Sequence, residues 1–263
     1  MTVPPLAHTI AARVAQVPGI LAVSLGGSHA RGNARPDSDL DLGLAYAAAR
    51  PFDLAALNAL CRELDDSGTA SATPPGGWGP WVDGGSWLTV GGQRVDFIYR
   101  ELGRVEGSVE DALAGRVSLH AQPGHPHGIH GHHYAAELAT GVILHDPEGR
   151  LERLRTRLGD YPAPLSTALE RHYGWQPGFW LDGAQKGLKR GDVHYAQGCL
   201  YQAVMALVQT LCARKRAWLL NEKGAASLAG ALPGAPPNFE TRVNAALSAL
   251  DVAAVRALAD EVG

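Results

Sequence analysis

The chain has 263 residues, of which 46% are hydrophobic and 19% charged, and its formal net charge is −3. This length supports one large domain or two modest ones, and the composition excludes a disordered or fibrous chain. The 23 Lys and Arg residues do not exceed the 26 Asp and Glu residues. A protein that grips long nucleic acid is therefore disfavoured, and small-molecule partners are favoured.

Targeting and redox signals are weak throughout the sequence. No run of about 18 apolar residues occurs, and the first residues lack the basic-then-apolar pattern of a signal peptide. We therefore expect a cytoplasmic protein with no membrane partner. The three cysteines, Cys61, Cys199 and Cys212, are far apart in apolar stretches, so they predict buried free thiols and not disulfides.

The first predicted elements are a helix, a strand and a tight turn. Apolar residues recur at helical spacing within residues 6–17, which lie between proline-containing stretches. Residues 20–25 are a short aliphatic and β-branched run, which is typical of a buried strand. The run ends in Gly26-Gly27-Ser28, which predicts a turn that opens a second helix.

A second strand and a hairpin follow. In residues 38–44 the leucines alternate with Asp39 and Asp41, which predicts a strand with one apolar and one acidic face. Asp53 is placed to cap the next helix. Residues 87–100 contain two strand-like arms around Gly91-Gly92, which predicts a β-hairpin whose second arm carries Asp96 and Arg94 on the same face.

The rest of the chain is predicted to be mostly helical. Residues 101–115 and 134–158 have helical patterns, with a His- and Gly-rich loop between them. After Pro164 only helices are predicted, and the expected caps are Asp192, Asn238 and Asp251. The sequence therefore predicts an α+β fold, with a mixed sheet flanked by helices in residues 1–155 and an all-helical bundle in residues 156–263.

The chemistry of the first half depends on two features that lie close together. Two aspartates separated by one strand residue share a face, with their Cα atoms about 6 to 7 Å apart. They can hold one divalent ion, and Mg²⁺ prefers such oxygen ligands and often shares them with substrate phosphates. Gly27 and Ser28 follow a strand and open a helix, where free N–H groups attract phosphate oxygens. Gly27 has no Cβ to obstruct a phosphate, and the Ser28 hydroxyl can donate to one.

Together these residues resemble the nucleotidyltransferase superfamily that includes DNA polymerase β and the aminoglycoside nucleotidyltransferases. The superfamily signature is an apolar strand, Gly-Ser, a short gap and then Asp-h-Asp/Glu-h, where h is apolar. Here the strand is LAVSLG, the pair is Gly27-Ser28, and Asp39-Leu40-Asp41-Leu42 completes the motif. The longer stretch GGSHARGNARPDSDLDLG is similar to the small bacterial members. A third carboxylate of the family, on a later strand, is matched by Asp96.

The resemblance implies a Mg²⁺-dependent transfer of a nucleoside monophosphate, with ATP as the expected donor. An acceptor hydroxyl would attack the α-phosphorus and release pyrophosphate. Asp39 and Asp41 would hold Mg²⁺, and Asp96 would either ligate the metal or take the acceptor proton. The resemblance does not choose between these two roles, and the acceptor is expected to be a small molecule.

The remaining nucleotide contacts are expected from Arg31 and Ser38, with Lys223 reaching the phosphates from the helical half. For Lys223 an equal alternative is a lysine in the last turn of a helix before a glycine cap. The six histidines between residues 120 and 133 lack the spacing of a metal site. They indicate a loop with one or two hydrogen-bonded histidines near the rim of the active site.

Two other functions compete with this one. The chain could be an antitoxin-like protein that keeps the nucleotidyltransferase fold and binds or modifies another protein. Three retained carboxylates argue against lost activity, because they repel each other unless a cation lies between them. A serine hydrolase using Ser28 is a remote alternative, because residues 26–30 differ by one position from a G-x-S-x-G elbow.

Overall fold

The computed structural model describes residues 3–32 and 34–263. The chain divides into two compact units. One contains the described residues up to Glu110 together with Tyr134–Gly159, and the other contains Asp111–His133 and Asp160–Gly263. The division into domains at residues 1–155 and 156–263 stays a prediction. The contacts group the segment 111–133 with the carboxy-terminal helices.

The first unit is built around five strands. Its strands are β1 (Ala22–Leu25), β2 (Leu40–Tyr46), β3 (Gly85–Val90), β4 (Gln93–Glu101) and β7 (Val142–His145). Its helices are α1 (Pro5–Val14), α2 (Gly27–Arg31), α3 (Leu54–Leu64) and α6 (Arg150–Leu158). The residues of α4 (Leu102–Ala114) and α5 (His133–Thr140) are divided between the two units.

The five strands form one mixed sheet in the order β3-β4-β2-β1-β7. β2 and β4 are parallel, and every other neighbouring pair is antiparallel. Parallel neighbours need a long connection, and here the connection contains α3, a loop and β3. The predicted α+β class, with a mixed sheet flanked by helices and a helical carboxy-terminal part, is confirmed.

Alternation along the strands sorts the side chains to two faces of this sheet. The leucines of β2 and the apolar residues of β4 are buried on one face: Leu40, Leu42, Leu44, Val95, Phe97 and Tyr99. Helices α1 and α3 add apolar side chains to the same core. The opposite face carries Asp41 and Asp96, so burial of the leucines directs the carboxylates away from the core.

The second unit combines a hairpin with helices. Its elements are β5 (Leu119–Gln122), β6 (His125–His130), α7 (Ala163–Tyr173), α8 (Gln176–Lys189), α9 (Val193–Arg214), α10 (Ala225–Gly230), α11 (Phe239–Ala249) and α12 (Val252–Val262). Helix α9 is buried on nearly all sides from Ala203 to Ala213, as expected of a central helix. None of the helices in the described part of the chain is both long and apolar enough to cross a lipid bilayer.

Most of the predicted elements are confirmed, with three corrections. The His-rich segment is not a loop, because β5 and β6 pair as an antiparallel hairpin. Residues 134–158 are not continuously helical, because β7 joins the sheet beside β1. Asn238 does not cap α11 through its side chain, since it adopts a left-handed conformation with φ of 55°. The caps predicted at Asp53, Asp192 and Asp251 are confirmed.

Candidate active site

The turn after β1 lies directly against the start of β2. The Gly26 amide donates to the carbonyl oxygen of Asp41 at 2.8 Å, which ties the turn to the strand. Gly27 has φ of +62°, and a Cβ there would lie 1.8 Å from Asp41 Oδ2. Only glycine permits both this backbone conformation and the close approach of the Asp41 carboxylate. The turn and the acidic strand therefore form one structural unit.

Two of the three predicted carboxylates face each other across neighbouring strands. Asp41 and Asp96 are Cα partners in the parallel β2–β4 pair, so their Cα atoms are about 5 Å apart on the same sheet face. Both residues are half-buried. Asp39 lies two residues before Asp41, immediately before β2 begins. The strand register therefore brings together carboxylates that are distant in sequence.

Asp39 is engaged by a cation that belongs to the chain itself. Arg94 Nε lies 2.6 Å from Asp39 Oδ1, and an Arg94 nitrogen also donates to the carbonyl oxygen of Asp37. Asp39 Oδ1 is shielded from solvent, yet it accepts no well-aligned hydrogen bond from the described residues. Arg94 thus offsets negative charge at this site, while one carboxylate oxygen keeps accepting capacity for another group.

The donor set fits a hard divalent cation in chemistry, although it is not assembled into a metal centre. Three carboxylates around two strand ends offer the oxygen ligands that Mg²⁺ prefers. Among residues 3–32 and 34–263, no three His, Cys, Asp or Glu side chains are already arranged to hold a metal ion. The Asp39 carboxylate is paired with Arg94 instead.

A cleft of about 490 Å³ opens beside these carboxylates. Its lining includes Asp39, Arg94 and Asp96, together with Asp65 and Trp87. A hydrogen bond from the Ser67 hydroxyl, together with backbone N–H donors, lowers the pKa of Asp65 to about 2. Asp65 therefore stays negative at neutral pH, and the cleft carries more carboxylates than cations.

The comparison with known families bears on this region. Residues 9–67, which include β1, the glycine turn, Asp39 and Asp41, match the family model described as "Nucleotidyltransferase domain". This part of the chain is similar to nucleotidyltransferase domains, and the superfamily resemblance seen in the sequence is confirmed. The site described above is the candidate active site of this region.

The other comparisons add less. Residues 131–223 match a family described as a domain of unknown function, DUF4037. The chain is similar to a solved nucleotidyltransferase-like protein from Exiguobacterium sibiricum 255-15, with 12% identity and a TM-score of 0.39, over 97% of this chain and 73% of that chain. No curated protein gave a significant match.

The residues predicted to contact the nucleotide are distributed over both units. Ser28 lies in α2, and Arg31 ends that helix and is exposed. The Ser38 hydroxyl accepts a hydrogen bond from the Arg35 amide at 2.8 Å, so it helps to shape the loop before β2. Lys223 lies in the second unit, in a turn before α10 and not in a helical last turn. Its role as a phosphate contact stays a prediction.

Several contacts of the candidate active site were not predicted from the sequence. Arg94 was placed on the face of Asp96, but its pairing with Asp39 was not foreseen. Gln93 Nε2 donates to the Ser38 carbonyl oxygen at 2.8 Å and so links β4 to the loop before β2. Trp87 is the Cα partner of Asp96 across the hairpin. The hairpin register, counted outward from Gly91-Gly92, is a signal that could have found Trp87.

The histidine-rich segment forms a packed polar cluster in the second unit. His127, His130, His132 and His133 are buried. His130 Nε2 lies 2.6 Å from the Tyr173 hydroxyl, and His127 Nδ1 lies 3.0 Å from Gln202 Oε1. Burial lowers the pKa of His130 and brings the pKa of His132 to about 3. The rings of His130 and His132 are therefore neutral at physiological pH.

Proposed function

We propose that the protein transfers a nucleoside monophosphate from a nucleoside triphosphate, with ATP as the expected donor, to a hydroxyl of a small-molecule acceptor. The supporting observation is the in-register pair Asp41 and Asp96, with Asp41 packed on Gly27. A site that joins facing carboxylates to a glycine turn suits a metal-bound triphosphate.

The glycine turn would bind the β- and γ-phosphates, which leave together as pyrophosphate. Gly27 leaves room for oxygen atoms near the backbone, and the Ser28 hydroxyl can donate to one of them. Arg31, which is exposed at the end of α2, adds positive charge on the same side of the carboxylates. The β- and γ-phosphates therefore lie toward this turn, and the α-phosphorus lies nearer to Asp41 and Asp96.

Asp39 and Asp41 are the residues that would hold Mg²⁺. When bound, the ion supplies positive charge that offsets the phosphate oxygens and the charge developing on pyrophosphate. Before that, Arg94 reduces the repulsion among the carboxylates through its pairing with Asp39. This exposed ion pair is worth only about 0–1 kcal/mol, so Mg²⁺ and triphosphate can displace it.

The chemical step is an in-line displacement at the α-phosphorus. The acceptor oxygen forms a bond to phosphorus while the bond from phosphorus to the α–β bridging oxygen breaks, and pyrophosphate leaves with the bonding electron pair. The proton of the acceptor hydroxyl passes to the Asp96 carboxylate, which acts as the general base. The product is the acceptor carrying a nucleoside monophosphate.

The Asp96→Asn variant tests this function. Pyrophosphate release from [γ-³²P]ATP is measured with MgCl₂, first with water as the acceptor and then with added acceptors. We expect the variant to lose release while its ATP affinity, measured by calorimetry, stays within about threefold, because the amide cannot take a proton. Asp37→Asn removes an exposed carboxylate of the neighbouring loop and should retain release.

The outcomes separate the two possible roles of Asp96. A severe loss of ATP affinity in Asp96→Asn would make Asp96 chiefly a metal ligand. Absence of both Mg²⁺-dependent ATP binding and pyrophosphate release in the unaltered protein would overturn the proposed function.

A further inference from the structure

An exposed aromatic pair borders the cleft on the side of Asp96. Trp87 is 67% exposed, and it is the Cα partner of Asp96 in the β3–β4 hairpin. Its ring stacks on Trp78 with centroids 4.5 Å apart and planes inclined by 17°. A large apolar ring kept at the surface of a cleft, next to a candidate catalytic carboxylate, indicates a binding surface.

Trp78 fixes the position of this ring. Trp78 itself is half-buried, and a Cβ at Gly85 would lie 2.9 Å from its Cη2 atom, so the glycine makes room for it. Since Trp78 covers one face of the Trp87 indole, the exposed area of Trp87 includes its other face. A ring held in this way loses little conformational entropy when a second ring stacks on it.

The order of the strands assigns this surface to the acceptor. Across one sheet face the order is the glycine turn after β1, Asp41 on β2, Asp96 on β4 and Trp87 on β3. In an in-line displacement the attacking oxygen approaches opposite the leaving group. If pyrophosphate leaves toward the turn, the acceptor approaches from the side of Asp96 and Trp87.

Charge in the cleft limits what the acceptor can be. Asp39, Asp65 and Asp96 line it, with Arg94 as the one basic side chain of that lining. Hydrogen bonds from the amides of Thr69 and Thr89 keep Asp65 ionised. Such a lining repels an anionic acceptor, such as a sugar phosphate or a nucleic-acid end.

We propose that Trp87, positioned by Trp78, binds the acceptor by stacking, and that the acceptor is an uncharged or positively charged compound with a sugar or aromatic ring next to its reacting hydroxyl. This inference rests on the proposed nucleotidyl transfer and specifies its second substrate. It makes Trp87 a specificity-determining residue.

The test measures transfer of label from [α-³²P]ATP to a panel of compounds by the full chain with MgCl₂. The ring compounds are methyl glucoside, glucosamine and tyramine, the acyclic ones are glycerol and sorbitol, and glucose 6-phosphate is the anionic ring. Trp87→Ala, Trp87→Phe and the control Trp175→Ala, which removes another exposed indole, are compared with the unaltered protein. ATP affinity is measured for each by calorimetry.

We expect a neutral or cationic ring compound to be the best acceptor. Trp87→Ala should raise the KM for it about tenfold with kcat and ATP affinity little changed, since the alanine removes the ring on which the acceptor stacks. Trp87→Phe should recover most of the loss, and Trp175→Ala should have no effect on KM.

Three outcomes would overturn the assignment of Trp87 while leaving nucleotidyl transfer intact. They are an acyclic or anionic best acceptor, the lack of any ring acceptor in a protein that still releases pyrophosphate, and an unchanged KM in Trp87→Ala. A dimer that Trp87→Ala dissociates in sedimentation would make the aromatic pair a subunit interface and would also overturn it. Loss of Mg²⁺-dependent ATP binding in the unaltered protein would instead overturn the proposed function.

Discussion

The close contact between Gly27 and Asp41 restricts which residue the candidate site can accommodate at position 27. A methyl group at residue 27 would overlap the Asp41 carboxylate, at 1.8 Å from Oδ2. The signature motif predicts a glycine here, and we expect the missing Cβ to let a phosphate approach the backbone. The structure shows a second reason for glycine, because the missing Cβ also leaves space for the Asp41 carboxylate on the next strand.

Gly27→Ala should therefore abolish Mg²⁺-dependent ATP binding while the protein stays folded. The new methyl group displaces the Asp41 carboxylate from the face that it shares with Asp96. The control is Gly91→Ala, because Gly91 has a similar φ of +58° with nothing within 4 Å of the added Cβ. Calorimetry measures binding and circular dichroism measures folding. Retention of ATP affinity in Gly27→Ala would show that the position of Asp41 is unimportant.

The pairing of Arg94 with Asp39 could not be predicted from the sequence. Alternation along β4 puts Arg94 on the face of Asp96, and this much was predicted. The partner of Arg94 depends on which strand lies beside β4, and β2 is distant in sequence. A local pattern determines the face of a side chain, but tertiary pairing determines its neighbour.

Among the elements, those with strong local signals were predicted and those held by distant contacts were not. The β3–β4 hairpin was predicted because two glycines separate its strand-like arms. In the structure Gly91 and Gly92 both have the positive φ that a two-residue turn requires. The β5–β6 hairpin was missed because histidine, proline and glycine give it little strand propensity. Glu222, far along the chain, accepts hydrogen bonds from the amides of His127 and Gly128.

Strand β7 was missed for a related reason. Its sequence, Val142–His145, is three apolar residues followed by a histidine, and so short a run does not distinguish strand from helix. Pairing with β1 at the edge of the sheet decides the matter. Edge strands of this length can be assigned only when the rest of the sheet is known.

Helix α3 gives a prediction about stability at the scale of one element. The Asp53 carboxylate accepts hydrogen bonds from the amides of Ala55 and Ala56 at 2.9 and 3.0 Å. Asp53→Ala should lower the free energy of unfolding by about 1 kcal/mol, as measured by urea denaturation. Asp53→Ser keeps a capping oxygen and should recover most of this loss. Equal stability of the alanine and serine variants would mean that the cap does not stabilise α3.

At the scale of the whole molecule, the buried histidines predict a dependence of stability on pH. Burial lowers the pKa of His127, His130 and His132 in the folded protein, whereas the unfolded chain titrates near the ordinary value of about 6.5. Below that pH the unfolded state binds more protons than the folded state. The free energy of unfolding should therefore be highest above pH 6.5 and fall as the pH decreases.

Three such groups would give a slope of up to about 4 kcal/mol per pH unit in the acid range. Urea denaturation at pH 7.5, 6.5 and 5.5 measures this slope. His132→Gln removes one of the groups and should make the dependence shallower, whereas His194→Gln, at a side chain that is 93% exposed, should not. A free energy of unfolding that stays constant between pH 7.5 and 5.5 would contradict this prediction.

The division of the chain into these two compact units could not be predicted from the sequence. The resemblance to nucleotidyltransferase domains was identified because its signature lies within one short stretch of the chain. In sequence, the segment 111–133 lies between elements of the first unit, but its contacts assign it to the second unit. No local sequence pattern indicates this assignment. The predicted phosphate contact of Lys223, in the second unit, therefore has to be tested by substitution.

The central claim is that Asp39 and Asp41 hold a metal-bound triphosphate. Calorimetric titration of ATP, GTP, CTP and UTP, with and without Mg²⁺, tests it on the unaltered chain, on Asp39→Asn/Asp41→Asn and on the control Asp37→Asn. We predict micromolar binding of at least one triphosphate that requires Mg²⁺, persists in Asp37→Asn and is abolished in the double variant. Triphosphate binding that is unaffected by both Mg²⁺ removal and the double substitution would contradict the claim.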